Sequence, residues 1–445
     1  MKIYQLALHN FRRYEHARFQ FHPQFTVLIG NNGAGKTTVL DALAMLLNTY
    51  FQGSKLPTGG GTIKSTDARA VFTQKEGQVF REQMDDVWLQ ATVDLNSEQL
   101  TWKREIGDRG GKAKNFVQLG IAGRAELKAG GSPDLPLLLY YGAGRLWTLH
   151  DNVETSQPNS QLDAYRYCLD PKSDQKAFEK WFKKLTFVAL QKGETSPAIP
   201  VVKDAVLACI PGAEDFFYDT EYDELTIRLK KEGLVPFNSL SDGYRNMVAM
   251  AADIAHRSTR LNPHHGKDAA RKTQGVVLID EIDLHLHPKW QRQVVSDLQR
   301  AFPSLQFIAS THSPFILQSL KPGEVIDLDQ PWNDNPDAAV EEGVAAPGPG
   351  GPFSDRSIED IVEGVMGVDL PQRSERLAQM HATAKQYYSL LKQPRPVDPT
   401  SLEALKVQLD ELSAPFSEDV AYHAFLEMER LAAGLGSSRT LKEKS

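Results

Sequence analysis

The chain reads Gly30-Asn31-Asn32-Gly33-Ala34-Gly35-Lys36-Thr37 between an apolar run, Phe25-Thr26-Val27-Leu28-Ile29, and aliphatic residues at helical spacing, Val39, Leu40, Leu43, Leu46 and Leu47. A buried strand, a glycine loop and a helix in that order constrain the fold more than any other feature, because the spacing G-x-x-x-x-G-K-[ST] forms an anion cradle only in that context. Glycines allow a turn tight enough to aim successive backbone N–H groups at phosphate oxygens, and the helix that follows adds its positive end. Lys36 is the cation expected to neutralise a β- and γ-phosphate, and the Thr37 hydroxyl is the expected Mg²⁺ ligand. The candidate contacts of a nucleoside triphosphate, ATP with Mg²⁺, are therefore Gly30, Asn31, Asn32, Gly33, Ala34, Gly35, Lys36, Thr37 and Thr38.

Such a loop needs a parallel sheet covered by helices, and the chain has the material for one. Its 445 residues are 41% hydrophobic and 24% charged, enough for two or three lobes around one or two cores. Only Cys168 and Cys209 carry thiols, too few for a disulfide framework or a thiolate metal site, so they are expected as core residues of a cytoplasmic protein. No run approaches the roughly 18 uninterrupted apolar residues of a spanning helix, so no membrane partner is expected. A net charge of -7 argues against a surface that is basic all over, and nucleic acid, a possible partner, would have to meet a local patch. Two sets of residues are candidates: Arg257, Arg260, His264, His265, Lys267, Arg271 and Lys272, and Lys176, Lys180, Lys183 and Lys184 with Trp181 and Phe182 interleaved. Solvated charged faces explain both equally well, and the aromatic pair reads as core.

Along the chain, alternation from Ile3, at Ala17 to Phe21 and at Val87 to Val93 predicts strands, and Pro136 to Tyr141 predicts a buried one. Gln175 to Leu190 reads as a helix, Phe216 to Leu229 as strand, Gly243 to His256 as a helix, Gly275 to Asp280 as a buried strand, Trp290 to Phe302 as a helix and Leu305 to Ser310 as strand. The Pro/Gly-rich segment Ala345 to Pro352 predicts a linker, followed by helical patterns to about Ala433. The expected division is an N-terminal lobe with the phosphate loop (1–142), a helical insert (143–235), a return to the first lobe (236–330), a linker (331–356) and a C-terminal helical region (357–445).

Three further motifs bear on chemistry. Val276-Val277-Leu278-Ile279-Asp280-Glu281 is an apolar strand ending in two carboxylates, which point to opposite sides: Asp280 can reach the Mg²⁺ shell and Glu281 can polarise a water as general base. Leu240-Ser241-Asp242-Gly243-Tyr244-Arg245 opens a helix and presents a hydroxyl and glycine N–H at its positive end. Thr311-His312-Ser313 follows the strand Leu305 to Ser310. His285 and His287 alternate without a thiolate partner, which is a weak basis for a metal site.

This set resembles the phosphate loop, Walker B, signature and switch histidine of the ABC ATPases, and Asp280 through Pro288 resembles their RecF, SMC and OLD-like branch rather than the transporters. The resemblance implies an α/β ABC ATPase head: a mixed β-sheet lobe around the phosphate-loop helix, a helical lobe and, here, a C-terminal helical extension. It also implies a homodimer or higher even-numbered oligomer in which Ser241 and Gly243 act on the partner's nucleotide, His312 senses the γ-phosphate, Asp283 to His287 lie at the seam, and Arg12 and Arg13 contact nucleotide. Catalysis would then rest on Glu281, His312 and Lys36. Two positions depart from the family pattern: Asp and Tyr stand where the signature commonly has Gly and Gln, and Tyr140 to Trp147 stands where a metal-coordinating glutamine is expected.

Tyr140 to Trp147, Asp280 to Trp290, Thr311 to Pro314 and Ser357 to Ile361 together resemble the PtuA-type ATPases of bacterial Septu and retron-associated antiphage systems. That resemblance implies an ATPase that controls a separate HNH nuclease. No heptad pattern spans Lys36 to Ser241, so an SMC-type coiled-coil arm is not expected. Ile361-Val362-Glu363-Gly364 is superficially like the first acidic motif of the OLD nuclease, but Ile358, Ile361, Val362 and Val365 are at helical spacing and no Asp-x-Asp pair follows. A repair ATPase, a self-contained ATP-dependent nuclease and a nucleotide-gated scaffold with negligible hydrolysis remain the alternatives.

Overall fold

A computed structural model describes residues 1–75, 78–95, 98–107, 111–144, 160–171, 175–193, 196–329, 353–364, 375–391 and 399–413. Arg145 to Trp147, the segment 345–352, Val365 and everything after Ser413 lie outside the described residues, as does most of the expected linker.

Five strands form a parallel sheet in the order Val325–Asp327, Phe25–Ile29, Leu305–Ser310, Gly275–Ile279, Leu137–Tyr141. Four of them are buried along their whole length, as expected where helices cover both faces and the sequence runs are continuously apolar. Phe25 and Phe307 stack across neighbouring strands with centroids 5.4 Å apart. Each such fully buried side chain contributes about 1.5–3 kcal/mol relative to exposure. The phosphate-loop helix Lys36–Leu47 lays Val39, Leu40, Leu43, Leu46 and Leu47 into this core, so its apolar stripe is the one its spacing predicts.

A second, antiparallel sheet has the order Tyr14–Gln20, Lys2–Phe11, Trp88–Leu95, Glu98–Glu105. Together the two sheets and their helices make a mixed α/β architecture, the fold class expected from the sequence. Gln306, with no exposed surface, ties the sheets by bonding both the N–H and the carbonyl of Ile3 at 2.7 Å. The helix Lys114–Lys128, weakly patterned in sequence, is held by Phe116, which stacks on Trp102 at 3.9 Å.

The insert contains the helices Gln175–Lys192 and Ala198–Cys209 and an antiparallel three-stranded sheet, Ala213–Asp219, Glu224–Leu229 and Gly233–Pro236. The stretch Phe216 to Leu229, read as one strand pattern, is a hairpin turning at 220–223. The expected single helix Trp290 to Phe302 is two, Pro288–Gln291 and Val294–Ala301. The Gln291 side chain, at the end of the first, donates to the Leu286 carbonyl at 2.8 Å and accepts from the Ser313 hydroxyl at 2.6 Å.

Residues 1–358 form one compact unit and 359–445 another. In the second, Arg376 of the helix Glu375–Leu391 donates to the Glu411 carbonyl of the helix Pro399–Ser413 at 2.8 Å. Among the described residues no helix is long and apolar enough to cross a membrane.

Candidate nucleotide-binding site

The C-terminal ends of neighbouring parallel strands deliver the chemistry to one edge: the loop 30–35 after Phe25–Ile29, Asp280-Glu281 after Gly275–Ile279, Thr311-His312 after Leu305–Ser310, and Asp329 beyond Val325–Asp327. Open α/β sheets bind ligands at this edge.

Gly35 has φ 99°, and a Cβ there would lie 2.5 Å from the Tyr14 hydroxyl, so both backbone conformation and packing require glycine. The Tyr14 hydroxyl donates to the Ala34 carbonyl at 2.9 Å, and burial pushes its pKa up to about 12, which keeps the proton in that bond. Arg13 donates to the Gly33 carbonyl and so touches the loop directly. Arg12 instead spans Asp41 Oδ2 at 2.6 Å and Asp67 Oδ1 at 3.0 Å, bracing the helix behind the loop. The pair proposed for nucleotide contact thus divides its work in this conformation.

Lys36 is only 8% exposed and curls back to donate to the carbonyls of Gly30 at 2.7 Å and Asn31 at 3.1 Å. Burial lowers its pKa, opposed by the carboxylates of Asp329, Asp280, Glu281 and Asp283. Asp329 Oδ2 accepts from the Asn31 N–H at 2.6 Å. Exposed Asn31, Asn32, Gly33 and Thr37, with Thr38 half-buried behind them, face the open side of the edge.

The donor set for Mg²⁺ is brought together. Thr37 Oγ1 donates to Asp280 Oδ2 at 2.9 Å across 243 positions of sequence, the juxtaposition a hydroxyl and a carboxylate need to share one hard cation. Ser310, completely buried, donates to Asp280 Oδ1 at 2.5 Å and accepts from the Glu281 N–H at 2.8 Å. Glu281 has φ 51°, a left-handed conformation costing about 1–2 kcal/mol outside glycine. Strain of this kind is concentrated at functional positions, where the surroundings over-determine it. Thr311 Oγ1 donates to Asp283 Oδ1 at 2.5 Å, while His312 beside it is exposed.

Ser310→Ala removes a charge-assisted hydrogen bond and should cost about 1.5–3 kcal/mol. Urea unfolding of the variant is expected to report that loss; a variant as stable as the parent would show that Ser310 does not hold Asp280.

Ser241 is exposed and stands at the N-cap of the helix Asp242–Leu261 with φ -60° and ψ 156°, yet its hydroxyl makes no capping bond. Gly243 packs so closely on the segment 283–287 that a Cβ would lie 2.4 Å from the His285 carbonyl. Asn246 Nδ2 donates to the Leu284 carbonyl at 3.3 Å, and Tyr244 meets Trp290 edge-on at 4.0 Å. The start of the signature helix is therefore packed against the segment that follows Asp280-Glu281. Tyr141 adds a second link, donating to Asp253 of the same helix at 2.8 Å, while Tyr140 donates to Asp41 of the phosphate-loop helix at 2.9 Å. His287 accepts from the Lys289 N–H at 3.2 Å and caps the short helix Pro288–Gln291.

Tyr14, Ser310, Asp253 and Asp329 escape sequence reasoning, because each belongs to no motif and acts through a partner 20 to 298 positions away. The basic set around Arg257 is partly dismantled. Arg257 is buried, donating to the Ala164 carbonyl at 2.5 Å and to Asp253 at 2.9 Å, and Arg260 donates to the Ser160 carbonyl at 2.8 Å.

The chain is similar in sequence to known proteins over much of its length. The AAA domain family matches residues 5–195, and a second AAA domain family, the one described with the AbiEii toxin of type IV toxin–antitoxin systems, matches residues 211–318. The two matches place AAA-type domain sequence along residues 5–195 and 211–318 of the chain. The chain is 24% identical over 376 residues to the Retron Vc95 probable ATPase of Vibrio cholerae serotype O1 biovar El Tor, covering 72% of each. It is 24% identical over 400 residues to the Retron Ec83 probable ATPase of Escherichia coli, covering 72% of this chain and 70% of that one. Over 174 residues, 39% of this chain and 22% of the relative, it is 36% identical to the Septu protein PtuA of Bacillus mycoides (strain KBAB4).

Proposed function

We propose that the chain binds and hydrolyses ATP as a dimeric switch, each nucleotide lying between the 30–37 loop of one protomer and the Ser241 helix end of its twin. The observation that carries this reading is the 2.9 Å bond between Thr37 and Asp280, which joins the phosphate loop to the carboxylate strand in the arrangement Mg²⁺-dependent phosphoryl chemistry uses. Thr37 and Asp280 would hold Mg²⁺, which would neutralise phosphate charge. Lys36 exchanges its two carbonyl partners for phosphate oxygens. Glu281, in the left-handed turn just beyond the strand and next to Asp280, orients a water and takes its proton. His312, exposed next to Thr311, faces the terminal phosphate, and Thr311 passes its loss to Asp283 and the segment under Gly243.

The exposed, uncapping Ser241 supports the trans arrangement, since a helix end carrying a spare hydroxyl is suited to an anion from outside its own chain. The retron and Septu relatives support a role in antiphage defence; the sequence resemblance adds the reading that opening and closing of the heads controls a separate HNH nuclease.

A crosslink tests the geometry. In a chain carrying Asn32→Cys in one protomer and Ser241→Cys in the other, a short bis-maleimide should join two chains only when ATP and Mg²⁺ are present. The native thiols will not interfere, because Cys168 and Cys209 are buried and burial raises both pKa values, that of Cys168 to about 12. Absence of the crosslink with bound nucleotide would overturn the trans reading. A crosslink without phosphate release would instead identify a nucleotide-gated scaffold.

A further inference from the structure

The signature helix ends at Leu261, and the residues after it build a feature the nucleotide site does not use. His264 Nε2 and His265 Nε2 converge on one oxygen, Asp134 Oδ1, at 2.8 and 2.9 Å. The two rings lie 4.3 Å apart, and Asp134, His264 and His265 each offer one ligand atom within 4.8 Å of the others.

Their convergence is built into the fold. Asn262, 1% exposed, accepts from the Leu135 N–H at 2.8 Å and donates to the Leu135 carbonyl at 3.0 Å, clamping the residue next to Asp134 to the residue two before His264. Its amide also donates to Thr273 Oγ1 at 3.1 Å, so three separate stretches of chain meet on one side chain. Pro263 and the left-handed Gly266, φ 54°, hold the turn that presents both imidazoles to the same side. His264 and His265 keep 28% and 17% side-chain exposure and Asp134 keeps 76%, so the cluster is open to solvent.

We infer that Asp134, His264 and His265 form a binding site for a zinc-class divalent cation, separate from the nucleotide site. Two imidazole nitrogens and one carboxylate suit zinc, cobalt or nickel, whereas Mg²⁺ and Ca²⁺ take oxygen ligands. Bound there, the cation fastens the loop entering the strand Leu137–Tyr141 to the C-terminal end of the helix that begins at Ser241. The coordination positions facing solvent are left to water or to a side chain from another molecule.

The test uses the full chain, treated with chelator and then dialysed into saturating Mg²⁺ so that the Thr37–Asp280 site does not take up the probe. Calorimetric titration with Zn²⁺ should show one more equivalent bound in the parent than in the His264→Ala/His265→Ala variant, with affinity in the micromolar range or tighter. Co²⁺ should give visible absorption in the parent that the double variant lacks. Asp134→Asn, which keeps the shape and loses the charge, should weaken binding by more than about tenfold, the lower end of what even an outer partner of a metal ligand is worth. ATP binding in each variant should match the parent, which shows that the chain is folded. Equal Zn²⁺ stoichiometry in parent and double variant, or no titratable binding in the parent, would reduce the cluster to a histidine–carboxylate ion pair and overturn the proposal.

Discussion

Glu281→Gln is expected to bind ATP as the parent does and to release phosphate about 10²–10⁴ times more slowly, the loss typical of removing a general base. The substitution preserves volume and leaves the backbone N–H that Ser310 accepts at 2.8 Å, so the left-handed turn at φ 51° has every reason to survive. What disappears is the carboxylate proposed to take a proton from water. If hydrolysis is what opens the heads, the variant should accumulate as an ATP-dependent dimer in size-exclusion chromatography with light scattering. Turnover near the parental rate would remove Glu281 from the role of base and shift attention to His312.

Lys36→Ala should abolish nucleotide binding rather than turnover. The lysine is the buried cation of the loop, and its removal leaves triphosphate charge opposite Asp280, Glu281, Asp283 and Asp329, the carboxylates that already act on Lys36. Truncating one partner of a buried charge pair costs about 3–5 kcal/mol, which corresponds to roughly two to three and a half powers of ten in Kd. Equilibrium binding of a fluorescent ATP analogue checks this, and the crosslink between positions 32 and 241 should vanish with it. Because the variant also frees the Gly30 and Asn31 carbonyls, thermal unfolding without nucleotide separates loss of binding from loss of fold. A Lys36→Ala chain that binds ATP with parental affinity would contradict the assignment of the loop.

The parts of the site legible in sequence are those whose chemistry is contained in one short stretch. The loop 30–37 announces itself because a glycine cradle must be contiguous, and Asp280-Glu281 because a buried strand ending in acids is a local pattern. The strands Phe25–Ile29, Gly275–Ile279 and Leu305–Ser310 were legible for the same reason: burial on both faces leaves unbroken apolar runs. Less legible were elements whose stability is tertiary. The helix Lys114–Lys128 is backed by Phe116 against Trp102, and Gln291, at the end of Pro288–Gln291, is held by Leu286 and Ser313. Local propensity says little where such contacts decide.

Sequence by itself determined that this chain holds a phosphate loop, a carboxylate strand and a serine-glycine helix start, each a property of neighbouring residues. Tertiary structure alone decided that Ser310 would hold Asp280, that Tyr14 and Arg13 would lean on the loop, that Asp329 would reach Asn31, and that two histidines would share Asp134. The reason is physical: hydrogen bonds and ion pairs join atoms a few ångströms apart, and only the packing of the sheets and helices brings residues hundreds of positions distant within that range.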